Sequence, residues 1–591
     1  MSVTPRGMSV QEAYREFRSE NFKVNRIYQR KLVWTREEKK KLIDSILQGY
    51  PIPLFLLART DEKEGSIKYE ILDGLQRFDA IFSYIENKFS LEGEHFDVKQ
   101  LSRANNLAKD GAFEVVRDED SLLPPSECAN ILDYQLAVTI FPSEEERDIN
   151  EVFSRINSYG RNLSSQDKRQ AGVVSPFANL VRTLAADIRG DSSPERLDLS
   201  EMAEISIDIS EEGQDYGIKA DETFWCREGI MRKRHLRDSH DEQFLADVIV
   251  SVLSDEPFPY SRKKMDEVYE SGTGRYEEVE ESLSLYGADK LENDIWSTYQ
   301  EIKKVFEKHK YERNVRDIVN PGSSNPVKTD FYAIFMAFYD LVIRSDKIPA
   351  DPNKIVESLE GIHDSLKVAR GSKSKSSRRK NIDTVKGRIQ DHFVKADDPV
   401  SGVGKELERN LERVLQRSRI ESNIYECKQG IVSLNHERSV EESFEGKIPA
   451  TICGIANVNS ESEGALIFGV ADSSSDANRV EDLDGVQSIK VGDRFVVGVD
   501  REATLLDLSL EEYERRIIKT IRNSELSEPL KSEVLSNIQT FDYRGLHVTY
   551  IRIPKQDELS RVSDSVFVRE GSSTERVDNL DKIFDLRDRF D

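Results

Sequence analysis

The chain is poor in cysteine. Cys128, Cys226, Cys427 and Cys453 lie far apart in 591 residues, and none belongs to a Cys-x-x-Cys pair. Neither a structural zinc site nor a disulfide framework follows from such spacing. Long apolar runs are missing as well. Ile52 to Ala58 spans seven residues and Phe331 to Tyr339 nine, against the roughly 20 residues that a membrane-crossing helix needs. The opening MSVTPRGMSV holds no apolar signal core, so a cytoplasmic protein with no membrane contact is expected. Positive charge is in deficit: the net charge is −25. That argues against wholesale wrapping of nucleic acid, which needs a positive surface.

The chain does have length and charge. Its 591 residues suffice for three or four domains of ordinary size. A hydrophobic content of 37% with 33% charged residues describes a charge-rich globular protein. Positive charge is concentrated locally. Between Lys367 and Arg388 stand nine basic residues and one acid, Asp383. The Gly/Ser/Lys/Arg run at 370–380 predicts an exposed linker or arm. Lys373, Lys375, Arg378, Arg379 and Lys380 would then touch a phosphate backbone without reading sequence; the plain alternative is a solubilising linker. A second cluster, Trp225, Arg227, Arg232, Lys233, Arg234, His235 and Arg237, is either a contact for nucleic acid or, more simply, a solvated helix face.

The most informative stretch is Tyr69 to Tyr84, YEILDGLQRFDAIFSY. It predicts a strand, a turn at Asp73-Gly74, and a helix with Leu75, Phe78, Phe82 and Ile85 on its apolar side. Gly74 permits the tight turn. Gln76 and Arg77 fall in the first helical turn, where free N–H groups and the helix dipole favour phosphate. An ordinary strand-to-helix corner would look the same. Upstream come Tyr28-Gln29-Arg30 and Val33-Trp34. A helix follows, with capping-box residues Thr35 and Glu38, buried positions Leu42, Ile43, Ile46 and Leu47, and a Gly49/Pro51 stop. Ile52 to Leu57 then reads as a buried strand.

This ordered set resembles the N-terminal domain of GmrSD-type restriction proteins, a ParB-like nucleotidase fold whose signature is Asp-Gly-Gln-Gln-Arg. The resemblance covers roughly residues 15–170. It implies an NTP site formed by Arg30, Asp73, Gly74, Gln76 and Arg77, with Asp73, Gln76 and Arg77 in hydrolysis. Leu75 replaces the first glutamine of the signature and can neither bond a phosphate nor orient a water. A second landmark, F-x-R-I-N-x-x-G-x-x-L-S at Phe153 to Ser164, implies that Arg155 and Asn157 lie near the nucleotide. A helix end at Asn157–Gly160 followed by a Ser164 cap explains the same residues. The family pattern continues into an HNH nuclease, but none of the eight histidines here sits in such a motif.

Residues 171–395 read as mainly helical. Glu277 to Lys310 is amphipathic, and Phe331 to Ile343 is apolar nearly all round. From about 405 a new unit begins, with a helix from Glu406 to Ser418. Glu421-Ser422-Asn423-Ile424-Tyr425-Glu426-Cys427-Lys428, Ala456-Asn457, Gly464 to Asp472, and Phe567-Val568-Arg569-Glu570-Gly571-Ser572-Ser573-Thr574 follow in order. Glu426 and Lys428 are two apart on a strand and share a face. Clustered carboxylates bind a divalent metal that activates water against a phosphodiester. In order, these pieces resemble the Schlafen AlbA-like domain over roughly 405–585. The resemblance implies a nuclease whose Mg2+ or Mn2+ is held by Glu421, Glu426 and Asp472, with Lys428 beside them and Arg569 on the nucleic acid. Other members of that wider fold only bind nucleic acid.

The expected fold class is α+β and multidomain: a ParB-like α/β domain at 1–170, a mainly helical region at 171–395 ending in the basic arm, and an α/β Schlafen AlbA-like domain at 405–591. The expected function is a nucleotide-dependent defence protein acting on foreign or modified DNA. The alternative is a nucleotide-switched regulator that binds DNA or RNA without cutting it. A homo-oligomer is expected.

Overall fold

The computed structural model describes all residues except 1–3, 28, 30, 62–66, 101–120, 143–163, 171–172, 210–215, 367–373, 397–402, 418–422, 441–443, 459, 461–462, 571–572, 588–589 and 591. The chain is mixed α/β and divides into two compact units, Met1–Ser401 and Gly402–Asp591.

The first unit is built on a six-stranded sheet of β1 (Thr4–Ser9), β2 (Phe22–Asn25), β3 (Phe55–Asp61), β4 (Ile67–Asp73), β5 (Gln135–Pro142) and β6 (Arg196–Asp198), ordered β1-β5-β3-β4-β2-β6. β3 pairs parallel with β5 and antiparallel with β4, and β2 pairs parallel with β4. The strand expected at 52–57 begins only at Phe55. Pro51 and Pro53 have no N–H for a ladder, and Leu54 faces water. Helix α1 (Val10–Arg18) starts on a Ser9 cap. Helix α2 (Arg36–Leu47) has the expected Thr35/Glu38 capping box. Helix α3 (Leu75–Ile85) leaves β4 through Gly74 at φ +108°, where a Cβ would come within 2.4 Å of the Phe55 ring. Only glycine fits that corner. Phe78 of α3 stacks with Phe22 and packs on Phe55, and Phe82 stacks with Phe17. This aromatic layer fixes α3 to the sheet.

The sheet is not complete by residue 170. β6 supplies its edge by pairing antiparallel with β2. Arg26, just after β2, donates to the Asp191 carbonyl at 2.6 Å and to its carboxylate at 3.1 Å. Asp191 also accepts from Arg189, which reaches Asp241 and Glu242 of the His240–Leu253 helix. All five of these charged groups are buried. A buried cation among several carboxylates is tolerated because each charge has an opposite partner. The ion cluster ties the sheet to the helices that follow.

The amphipathic stretch at 277–310 forms two helices, Gly274–Tyr286 and Ala288–Lys308, parted at Gly287. Glycine at positive φ (+88°) breaks what sequence periodicity reads as continuous. The Lys328–Val342 helix is buried on every side, as its apolar composition predicts.

The second unit carries a four-stranded sheet ordered Tyr425–Lys428, Gly464–Phe468, Leu546–Ile553, Ile538–Tyr543. The first pair is parallel and sets Glu426 opposite Leu466 and Lys428 opposite Phe468. Leu466 and Phe468 pack with Ile448 and Ile452 of the Phe444–Ala456 helix. Cys427, Ala465 and Ile467 face the other way, toward Leu411 and Leu415 of the Val403–Arg417 helix. Helices therefore cover both faces, which suits the apolar Gly464–Phe468 strand.

Candidate functional site

The Asp73–Arg77 corner is assembled as expected, but its side chains are turned inward. The Gln76 Oε1 accepts the backbone N–H groups of Val33 and Trp34 at 2.9 and 3.1 Å, and its Nε2 donates to the Lys31 carbonyl at 2.8 Å. Three of the four hydrogen-bonding positions of this amide are thus occupied by one backbone segment. Gln76 is a clamp on residues 31–34. Arg77 is buried, pairs with Asp73 at 3.0 Å, and lies 5.0 Å from the Phe55 ring centroid. Asp73 is about half exposed, at 48%. Leu75, the departure from the family signature, is buried. A glutamine there would bury an amide that needs partners. Gln29 donates to the Ile71 carbonyl at 2.9 Å, tying the segment before the clamp to β4. Arg30, Arg155 and Asn157 lie outside the described residues.

The basic arm is corrected. From Lys375 to Ile389 the chain is a helix capped by Ser374, not a linker. Arg378 holds Asp247 through two hydrogen bonds of 2.8 and 2.6 Å and sits 3.6 Å from the Tyr332 ring centroid, with only 10% of its side chain exposed. Arg379 faces Asp340 at 3.8 Å, and Lys375 pairs with Glu256. Lys380 is exposed; Lys373 lies outside the described residues. The basic character belongs to a helix matched to carboxylates brought to it by the fold. Trp225, read with the second basic cluster, is a core residue packed edge-on to Phe244.

In the second unit the structure brings together Glu426, Lys428 and Arg569. Glu426 accepts from Lys428 Nζ at 3.0 Å on one oxygen and from Arg569 at 2.8 Å on the other. Arg569 also donates to Thr574 Oγ1 at 3.0 Å across its hairpin. Asn457 anchors that hairpin to the Phe444–Ala456 helix by donating to the Ser560 and Phe567 carbonyls, both at 2.9 Å, and accepting from the Ser560 N–H. Sequence order alone did not give Asn457 this positioning role.

Asp472 joins the same electrostatic field. Burial of its surroundings pushes its carboxyl above the usual range. Arg494, which pairs with it, and Lys428 pull it down, while the negative charges of Glu426 and Asp476 push it up again. With 52% of the Asp472 side chain in water, solvent screening weakens every one of these effects. Arg494 was not foreseen; it lies 22 residues from Asp472 and is delivered by the pairing of strands 470–471 and 494–496. Glu421 is outside the described residues. Among the described residues no three His, Cys, Asp or Glu side chains cluster for a metal.

Residues 11–174 match the family described as GmrSD restriction endonuclease, N-terminal domain. The chain carries a GmrSD-type N-terminal domain. The matched span contains α1, the capped α2, the Gln76 clamp and the β4–α3 corner. It stops short of β6, so in this chain the sheet around the matched domain is closed by residues that follow it. No curated protein sequence matches the chain.

Proposed function

We propose that the protein is a restriction-type defence nuclease. Its GmrSD-type domain takes up a nucleotide, and the centre at Glu426, Lys428 and Asp472 cuts nucleic acid with a divalent metal. The observation that carries this reading is that Glu426 and Lys428, side by side on one strand, act electrostatically on Asp472, which follows the 470–471 strand. The donor set suits a hard cation. Glu426 and Asp472 offer carboxylate oxygens, and Mg2+ is commonly held by only one or two carboxylates with waters. Glu421 stands five residues before Glu426 as a third donor by sequence. A metal at these carboxylates supplies Lewis acidity and a deprotonated water. Lys428 and Arg569 each donate to Glu426, and Lys428 would meet a phosphate anion brought to these carboxylates. Among the described residues no helix is long and apolar enough to cross a membrane, and we place the protein in the cytoplasm, as a homo-oligomer.

A second reading rests on a specific observation. Three cations, Lys428, Arg494 and Arg569, already pair with the two carboxylates, which suits a module that binds phosphate backbones and does not cut them. Incubating the purified protein with DNA or tRNA and Mn2+ or Mg2+ decides between them. Metal-dependent cleavage that disappears in Glu426→Gln, with the fold intact, supports the nuclease. Binding without cleavage by the unaltered protein, under either metal and on either substrate, rejects it.

A further inference from the structure

Three cations surround the carboxylates of the second unit, and they are not equally accessible. The Arg569 side chain is 2% exposed, against 28% for Lys428 and 26% for Arg494. A phosphate backbone is met by cations that reach solvent, and a guanidinium enclosed this far is poorly placed to touch one. Its two terminal nitrogens are also spent inside the protein. Nη2 donates to Glu426 Oε2 at 2.8 Å, and Nη1 donates to Thr574 Oγ1 at 3.0 Å.

Glu426 needs such a partner. It sits on a four-residue strand at the edge of its sheet, with the Gly464–Phe468 strand as its single neighbour. Neighbouring strands therefore fix its backbone from one side only. Each carboxylate oxygen has two lone pairs. Lys428 takes one on Oε1 and Arg569 one on Oε2, so each oxygen keeps a lone pair for another ligand. Lys428 is a point charge on a flexible stem, whereas the Arg569 fork is planar and held at both prongs. The orientation of the Glu426 carboxylate is thus set chiefly by Arg569.

Arg569 is itself held by a rigid mount. It faces Thr574 directly across the hairpin of strands Val566–Glu570 and Ser573–Val577, which is why the two side chains meet. Val566, Val568 and Val577 bury with Leu586; adjacent residues of a strand point to opposite faces, so Arg569 projects the other way. The Phe444–Ala456 helix lies close against the hairpin at Gly454, where a Cβ would come within 3.2 Å of the Thr574 methyl and 3.4 Å of the Val568 carbonyl carbon. Asn457 of the same helix bonds the Phe567 carbonyl. The support runs from helix to hairpin to Arg569 to Glu426, a residue 143 positions away in the chain.

We propose that Arg569 is a positioning residue: it aims the Glu426 carboxylate at the divalent metal and does not contact nucleic acid. The inference rests on the nuclease reading above and assigns a role within that site. The test uses the full-length protein and three variants, Arg569→Met, Arg569→Lys and Thr574→Val, with circular dichroism as the check on folding. Cleavage kinetics are measured with Mn2+, and DNA and tRNA affinity is measured by fluorescence anisotropy in EDTA. Arg569→Met should lower kcat roughly 10- to 100-fold, the usual cost of losing the partner of a metal ligand. KM and the affinity in EDTA should not change, because no contact to the substrate is lost. Thr574→Val keeps the charge and frees one prong, so its loss of kcat should be smaller. Arg569→Lys keeps the positive charge near Glu426 but cannot hold both partners. Its Mn2+ affinity, followed by electron paramagnetic resonance, should fall about tenfold, and this loss reports orientation without a change of charge. Weaker DNA or tRNA binding in Arg569→Met with kcat unchanged overturns the proposal and makes Arg569 a phosphate contact. Unchanged kcat and Mn2+ affinity in all three variants overturns it and leaves the nuclease standing. An unaltered protein that binds no Mn2+ and cuts neither substrate overturns the nuclease reading and the positioning role together.

Discussion

Two basic clusters of the first unit have opposite fates. Lys375, Arg378, Arg379 and Lys380 are the denser run, and Gly/Ser flanks mark it as a free arm. Yet Arg378 is buried on Asp247, and Arg379 and Lys375 face acids. Arg232, Lys233, Arg234 and Arg237 look like an ordinary solvated helix face, but they line a cleft in which two arginines lack a carboxylate partner among the described residues. Whether a cation is available to a ligand depends on which acids the fold delivers to it, and those acids are remote in sequence. Asp247 is 131 residues from Arg378.

The comparison can be broken most severely at Arg378. Arg378→Ala leaves Asp247 buried without its partner and removes the stack on Tyr332. Unfolding of the first unit in urea should then become easier by about 3 kcal/mol, the scale of a broken buried pair. Triphosphate affinity should stay within about twofold of the unaltered protein. A stable variant with lost anion binding would restore the arm as the phosphate contact.

A second substitution sharpens the same contrast at the clamp. Gln76→Ala strands the Val33 and Trp34 N–H groups and should cost about 2 kcal/mol in the same denaturation experiment. If Gln76→Ala leaves stability unchanged, the clamp is not a structural element, and a direct role toward a nucleotide returns to Gln76.

The smallest effect lies at His235. Its pKa near 4 is below the usual histidine value of about 6.5. Between these values the unfolded chain takes up a proton that the folded chain refuses, so this group subtracts stability as pH falls from about 6.5 toward 4. Arg232 and Arg234 contribute to that lowering, after burial, His240 and Lys328. The His235 pKa, followed by NMR, should therefore rise in Arg232→Ala/Arg234→Ala. No movement would show that burial and the other neighbours set it alone.

Local features were legible in the sequence. The Thr35/Glu38 capping box, the turn at Gly74, the β4–α3 order and the Glu426/Lys428 alternation all depend on residues a few positions apart, where periodicity and capping act. Features that join distant segments were not legible. β6 closes the sheet from beyond the expected domain boundary. Arg494 reaches Asp472 only because two short strands pair, and Gln76 meets Val33 across 43 residues. The assignment of Gln76 and Arg77 to phosphate followed from their place in the first helical turn. That placement does not reveal that one side chain turns back onto residues 31–34 and the other onto Asp73.

The central claim is that Gln76 and Arg77 are ties within the fold, one on residues 31–34 and the other on Asp73. Crystals of the protein grown with a thio-substituted nucleoside triphosphate test this most directly, because sulfur marks the phosphate position by anomalous scattering. The account predicts an anomalous peak away from the start of α3, with the Gln76 clamp and the Arg77–Asp73 pair intact. A peak at the start of α3, with Arg77 released from Asp73, would contradict it.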